Sequence, residues 1–240
     1  METAFRALNA LLMIVLPLVL GAWLARHYRV PWSLFGWGAV TFIGAQLVLL
    51  PLLQILTQSL RGVVTGPFVI QHALLINSVI LGLSAGLCEE GARWFAYRFI
   101  VPEARSWRQG LMLGAGQGGA EAMILGGLAG YSLVHSIVAG PAPTGQGLLP
   151  LLGTVERIFA LADDLALSVL VLQVFVRRRW RWLVIAIGWH GLIDGVSVYA
   201  SGHLSALALE GVLACFGVAS LTIVVALRPP PGAVTRSGRR

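Results

Sequence analysis

Seven long apolar runs constrain this chain more than any other feature. Each holds roughly 20 residues, the length of an α-helix that crosses about 30 Å of hydrocarbon at a rise of 1.5 Å per residue. We place the runs at residues 7–25, 34–56, 68–88, 110–138, 149–176, 182–200 and 204–227. With 57% hydrophobic and only 11% charged residues, the 240-residue chain is also more apolar than a soluble domain of that size. The sequence therefore predicts an all-α, polytopic transmembrane helical bundle.

Positive charge alternates between the connections. The segments after the first, third, fifth and seventh runs each hold several arginines, whereas those after the fourth and sixth hold no Lys or Arg and the one after the second holds only Arg61. Loops rich in Lys and Arg stay on the cytoplasmic side of a membrane. This alternation predicts an outside N-terminus and a cytoplasmic C-terminus. We expect one transmembrane domain over residues 1–228 and a disordered cytoplasmic tail over residues 229–240.

The formal charge of +7 does not indicate a nucleic-acid binder. Such a protein gathers its basic residues into one stripe, and here they fall between apolar runs. The two cysteines, Cys88 and Cys215, form neither a disulfide framework nor a paired-thiol metal motif. We therefore expect membrane lipid, and no nucleic acid, as a partner.

Ionisable side chains occur where a membrane should exclude them. A charge at the centre of a spanning helix costs about 2.5–3.5 kcal/mol, so several in one small protein call for a joint explanation. The ionisable residues, with the polar amide of Gln117 among them, are Glu89, Glu90 and Arg93 at the end of the third run, Gln117 and Glu121 in the fourth, Glu156, Asp163 and Asp164 in the fifth, and His190 and Asp194 in the sixth. The helical rise predicts that Glu90, Gln117, Asp164 and His190 meet in the cytoplasmic half of the membrane.

Three of these pairs are spaced four residues apart and so share one helix face: Glu89 with Arg93, Gln117 with Glu121, and His190 with Asp194. Purely structural roles are also open for several of the ionisable residues. Glu89 and Arg93 could form an interfacial ion pair, Asp163 and Asp164 could pair with Arg157, and His190 could be a hydrogen-bonded core residue. The sequence Gly82-Leu83-Ser84-Ala85-Gly86 matches G-x-S-x-G, but that motif needs a strand-to-helix turn and here it lies in an apolar run.

The order of these motifs resembles the YhfC family of intramembrane metalloproteases. The resemblance rests on Glu89-Glu90-Gly91-Ala92-Arg93, the glycine-rich stretch around Gln117 and Glu121, Glu156-Arg157, and His190-x-x-x-Asp194, with Gln46 and Pro51 in the second run. In its motif logic that family is similar to the type II CAAX prenyl endopeptidases and bacteriocin-processing membrane proteases. The resemblance implies hydrolysis of a membrane protein or lipidated peptide in the bacterial cytoplasmic membrane.

The resemblance implies roles for individual residues. Glu90 or Glu89 would be the general base, with Arg93 as companion; His190, oriented by Asp194, would polarise the carbonyl or bind a metal; Gln117 would donate to the oxyanion. A zinc ion would take its ligands from Asp164, His190, Glu121 and Asp194. A metal-free mechanism based on glutamate is equally open.

Two positions depart from the family pattern, which usually has histidine where Gln117 and Asp164 stand. The chain therefore retains only His190 of three histidines. A catalytically inactive relative that acts as a membrane binding or scaffold protein is the main alternative to an enzyme. A proton-coupled transporter is a third possibility, although the charged motifs are not repeated along the chain as transporter repeats predict.

Overall fold

Seven long helices make up the part of the chain that the structure describes. The computed structural model describes residues 2–63, 67–140 and 147–230, and side chains outside residues 60–71. The helices are α1 (Glu2–Tyr28), α2 (Ser33–Val63), α3 (Pro67–Phe95), α4 (Trp107–Ala139), α5 (Leu152–Val176), α6 (Arg181–Ser201) and α7 (Ala206–Ala226). All seven are long and apolar enough to cross a membrane, which confirms an all-α integral membrane protein. The predicted tail lies almost entirely outside the described residues.

The third helix continues further than its apolar run. The run was expected to end at Cys88, but α3 extends to Phe95 and is followed by a π-helical turn, Ala96–Ile100. Arg93 lies within α3, beyond the end of the apolar run, and its side chain is fully buried in the bundle. Nearby carboxylates neutralise its charge, so the membrane interior does not exclude it.

Helix α5 is the central helix and packs against α1, α4, α6 and α7. Its middle residues are almost completely buried, and Ser168 is among them. The Ser168 hydroxyl lies 2.7 Å from the carbonyl oxygen of Gly110 on α4 and 2.7 Å from the hydroxyl of Tyr97. These contacts hold the centre of α5, with Asp163 and Asp164, inside the bundle.

Glycines allow two helix pairs to pack with their backbones in contact. A Cβ on Gly116 of α4 would lie 2.0 Å from the Phe35 carbonyl oxygen of α2, and one on Gly82 of α3 would lie 2.3 Å from the Gly191 carbonyl oxygen of α6. Such distances exclude any side chain larger than hydrogen. The G-x-S-x-G match at Gly82 is thus explained by helix packing, since the segment lies within α3.

The two ends of the bundle differ in charge. At one end, which we call the arginine-rich end, α3, α5 and α7 finish and α4 and α6 begin; it carries Arg98, Arg105, Arg177, Arg178, Arg179, Arg181 and Arg228. The other end, where α5 and α7 begin and α6 finishes, is the arginine-poor end. There Asn9 of α1 accepts a hydrogen bond from the backbone N–H of Thr154 at 2.8 Å.

Candidate functional site

A buried arginine joins three helices at the centre of the bundle. Arg93 of α3 donates through Nε to Oε1 of Gln117 on α4 at 2.8 Å and through Nη2 to Oδ1 of Asp164 on α5 at 2.6 Å. Its Nη1 lies 3.0 and 2.9 Å from the two carboxylate oxygens of Glu90. The rigid fork of guanidinium donors suits such a cluster, because one side chain serves three acceptors.

His190 of α6 extends this cluster to a fourth helix. Its Nδ1 lies 2.7 Å from Oε1 of Glu90, and its Nε2 lies 3.4 Å from Oδ2 of Asp194. A carboxylate on each ring nitrogen restrains the imidazole in one orientation. We call Glu90, Arg93, Gln117, Asp164 and His190 the Arg93 network. The structure thus brings together the four side chains that the helical rise predicted to meet.

Glu89 lies outside the Arg93 network. Its Oε1 accepts a hydrogen bond at 2.8 Å from Nε2 of Gln46 on α2, and only 8% of its surface is exposed. The ion pair of Arg93 on its own helix is with Glu90, three residues away, rather than with Glu89, four residues away. The two adjacent glutamates therefore have separate environments.

A cavity of about 340 Å³ lies beside the network, between residues of α3, α4, α5, α6 and α7. This volume is within the usual range of ligand pockets, about 300–1,000 Å³. Its polar lining includes Glu89, Glu121, Glu156, Arg157, Asp163, Asp164, His190 and Asp194. Of the predicted catalytic residues, Glu89 and His190 reach the cavity.

The other predicted catalytic residues lie behind the cavity wall. Glu90, Arg93 and Gln117 are fully buried and do not line it. Gln117 contacts Arg93 through its oxygen, while its Nε2 has no hydrogen-bond partner among the described residues. In this arrangement these three side chains position others rather than contact a molecule in the cavity.

The predicted zinc ligands do not come together as a ligand group. Asp164 is paired with Arg93, and Glu121 lies 2.7 Å from Nη1 of Arg157, which also pairs with Glu156. A guanidinium next to Asp164 and another next to Glu121 oppose the approach of a divalent cation to these two carboxylates. Within the described residues, no three His, Cys, Asp or Glu side chains are arranged to hold a metal ion. The residues present, in this arrangement, do not fit the three or four ligands that zinc takes.

Sequence reasoning gave no role to two residues that matter in this geometry. Gln46 holds Glu89, and its signal was a polar amide within an apolar run, the same signal that singled out Gln117. Asp163 was weighed as a partner of Arg157, but it lines the cavity, and its Oδ1 has no hydrogen-bond partner among the described residues.

These observations define an integral membrane protein with a buried charge network beside a polar cavity. The family model of the YhfC intramembrane metalloproteases matches residues 12–146 and 144–215. The chain is also 32% identical over 252 residues to the "Uncharacterized membrane protein YhfC" of Bacillus subtilis (strain 168), over 92% of this chain and 94% of that protein. The chain therefore belongs to the YhfC family, as its motifs predicted. No solved structure matches it.

Proposed function

We propose that this protein is an intramembrane peptidase in which Glu89 activates the water that attacks the peptide bond. The observation that supports this most is the placement of Glu89. Its carboxylate is held by Gln46 at the edge of a cavity inside the bundle, and it does not belong to the ion-paired network beside it. The family description, intramembrane metalloprotease, agrees with peptide hydrolysis as the reaction.

Glu89 acts as the general base, and His190 stabilises the oxyanion. Glu89 takes a proton from water, and the water oxygen forms a bond to the carbonyl carbon of the substrate. His190 also lines the cavity; its Nδ1 stays on Glu90, and its Nε2–H donates to the oxyanion in place of the 3.4 Å contact with Asp194. The carbon–nitrogen bond then breaks, and the proton held by Glu89 passes to the leaving amine. A positioned general base contributes about 10²–10⁴-fold to such a reaction.

The Arg93 network positions these groups. Glu90 contacts Nδ1 of His190 at 2.7 Å, and Arg93 holds both oxygens of Glu90. Arg93 itself is anchored on α4 by Gln117 and on α5 by Asp164. Glu90, Arg93 and Gln117 are therefore positioning residues. The proposed reaction has no step through a metal ion, because Asp164 and Glu121, two of the carboxylates that would bind one, are paired with Arg93 and Arg157.

Substrate and topology follow from the same reasoning. We expect a membrane protein or lipidated peptide as substrate, because the cavity lies between spanning helices and has apolar as well as polar walls. The arginine-rich end faces the cytoplasm in this proposal, with the N-terminus outside and the C-terminus inside. We also propose that the chain is similar to the type II CAAX endopeptidases in its motif logic.

An inactive relative that binds membrane proteins without cleaving them is the second candidate. It is favoured by one observation: Gln117 and Asp164, at positions where the family usually has histidine, both contact Arg93. The polar groups of Gln117 and Asp164 thus make contacts within the fold. In that case the cavity or the helix surfaces would bind a partner, and no peptide bond would be broken.

Sequencing the protein termini present in membranes separates the two candidates. The wild type, Glu89→Gln and the control Glu103→Gln, at an exposed position outside the helices, are expressed in one bacterial host. We expect new termini in or near membrane spans with the wild type and the control, and none with Glu89→Gln. The same termini in all three strains would overturn the proposal. Partners captured equally by wild type and Glu89→Gln, without new termini, would support the inactive relative.

A further inference from the structure

We propose that the cavity binds a positively charged group of the substrate, an ammonium or guanidinium on an apolar stem, which enters from the arginine-poor end. This inference rests on the proposed function, since it names the substrate class of the same site. Binding of the cation does not itself require catalysis, so the two are tested separately.

The direction of entry follows from the residues that line the cavity. On α6 the lining runs from His190 through Asp194 and Ser197 to Ser201, the last residue of the helix. The eleven helical steps from His190 to Ser201 span about 16 Å. The lining on α7 begins at Leu209, in the first turn of that helix. Both helices therefore lead the cavity towards the arginine-poor end.

The opposite direction is blocked by the Arg93 network. Glu90, Arg93 and Gln117 lie nearer the arginine-rich end and are fully buried, and Tyr97 beyond them is fully buried as well. The sequence predicted that the site lies in the cytoplasmic half of the membrane. With the arginine-rich end in the cytoplasm, the lining of the cavity favours entry from the outer side instead.

The charge of the cavity selects a cation. Three of its carboxylates are already paired, since Glu121 and Glu156 contact Arg157 and Asp164 contacts Arg93. Glu89, Asp163 and Asp194 also line the cavity, where the side chains that can carry positive charge are His190 and Arg157, the latter already held by Glu121 and Glu156. The space is therefore bordered by more negative than positive charge.

Asp163 identifies where the cation binds. Only 7% of its surface is exposed, and its Oδ1 has no hydrogen-bond partner among the described residues. An acceptor buried without a donor is unfavourable by about 1–3 kcal/mol, and by more when it is charged. An N–H donor brought by a ligand relieves this penalty.

The remaining walls indicate what carries the positive charge. Phe159, Leu167, Ile193, Leu209 and Leu213 line the cavity with apolar surface. An apolar stem packs against these side chains while its charged end reaches the carboxylates. A free metal ion fits less well, because no three described side chains are arranged as its ligands. A Lys or Arg side chain, or an N-terminal ammonium on an apolar segment, matches both parts of the lining.

The test uses thiol reagents of opposite charge as probes. Cys88 and Cys215 are replaced by alanine, Ser197→Cys places a thiol in the cavity wall, and Leu204→Cys serves as an exposed control at the same end. Cationic trimethylammonioethyl and anionic sulfonatoethyl methanethiosulfonate are applied to membrane vesicles of both orientations. Relative to the control, we expect the Ser197→Cys thiol to react at least about tenfold faster with the cationic reagent, and only from the outer side.

Two further variants link the preference to the carboxylates. Asp163→Asn and Asp194→Asn, each checked for a monodisperse folded protein, should lower the cationic preference severalfold. Equal rates for the two reagents, reaction from the cytoplasmic side, or no effect of either variant would overturn the proposal. A preference that changes with a metal chelator would assign the site to a metal ion and overturn it too. If the cationic preference holds while membranes with Glu89→Gln show the same new protein termini as membranes with the wild type, the cation site is supported and hydrolysis by Glu89 is overturned.

Discussion

Nη2 of Arg93 and Oδ1 of Asp164 lie 2.6 Å apart, although the two residues are 71 positions apart in the chain. Both side chains are buried within the membrane-spanning bundle. The contact fixes α3 against α5 and leaves the arginine surrounded by acceptors.

Loss of Arg93 should destabilise the fold. We expect Arg93→Leu to lower the free energy of unfolding by about 3–5 kcal/mol, because Glu90 and Asp164 would be left as uncompensated buried charges. Arg93→Lys should also destabilise, since an ammonium cannot replace the planar fork. Thermal or detergent-induced unfolding measures this, with the exposed Arg98→Leu as control. Equal stability of Arg93→Leu and Arg98→Leu would contradict the network.

The adjacent glutamates should differ in what their loss affects. Glu90→Gln should lower the free energy of unfolding by about 3 kcal/mol, because Glu90 is fully buried between Arg93 and His190. Glu89→Gln should change stability by less than about 1 kcal/mol, since a glutamine oxygen still accepts from Gln46. Unfolding curves of both variants test this. A larger loss in Glu89→Gln than in Glu90→Gln would reverse the assignment of the positioning and catalytic glutamates.

Glycine positions in α4 should respond unequally to alanine. A Cβ on Gly116 would lie 2.0 Å from the Phe35 carbonyl oxygen, whereas one on Gly127 would meet nothing within 4 Å. Gly116→Ala should therefore destabilise the protein by about 1–3 kcal/mol through overpacking. Gly127→Ala should be neutral or stabilise by up to about 1 kcal/mol. Melting temperatures of the two variants, measured in one detergent, test this difference in stability. Similar values would argue against close packing of α2 and α4.

Zinc should be well below one per chain in protein purified without chelator. The reason is the engagement of two predicted ligands, Asp164 and Glu121, by Arg93 and Arg157. Elemental analysis of the parent, His190→Ala and Asp164→Ala measures this directly. About one zinc in the parent, lost in both variants, would show that the carboxylates leave their arginines to bind metal, and the metal-free mechanism would be wrong.

The number and character of the helices could be predicted because apolar length and alternating charge depend on the sequence alone. The end of α3 could not. Composition cannot distinguish an arginine in a loop from one whose charge is neutralised by residues 71 positions away, and Arg93 is of the second kind. The meeting of Glu90, Gln117, Asp164 and His190 was predictable from helical rise, since polar residues in neighbouring spans are most stable when they meet.

The roles of the individual site residues were harder to predict from the sequence. Glu89 and Glu90 are adjacent, and which one faces the cavity depends on the rotation of α3 about its axis. That rotation is set by tertiary packing, including the contact of Gly82 with α6. The side from which the cavity opens depends on where α5, α6 and α7 begin and end, which apolar runs define only to within a few residues.

The glycine contact between α3 and α6 also bears on how a substrate helix can approach. Gly82 and Gly191 bring the two backbones together about two turns from Glu89 and next to His190. A spanning segment that diffuses in the bilayer has no gap there through which to slide. Any lateral gate for such a segment must therefore open at another helix pair.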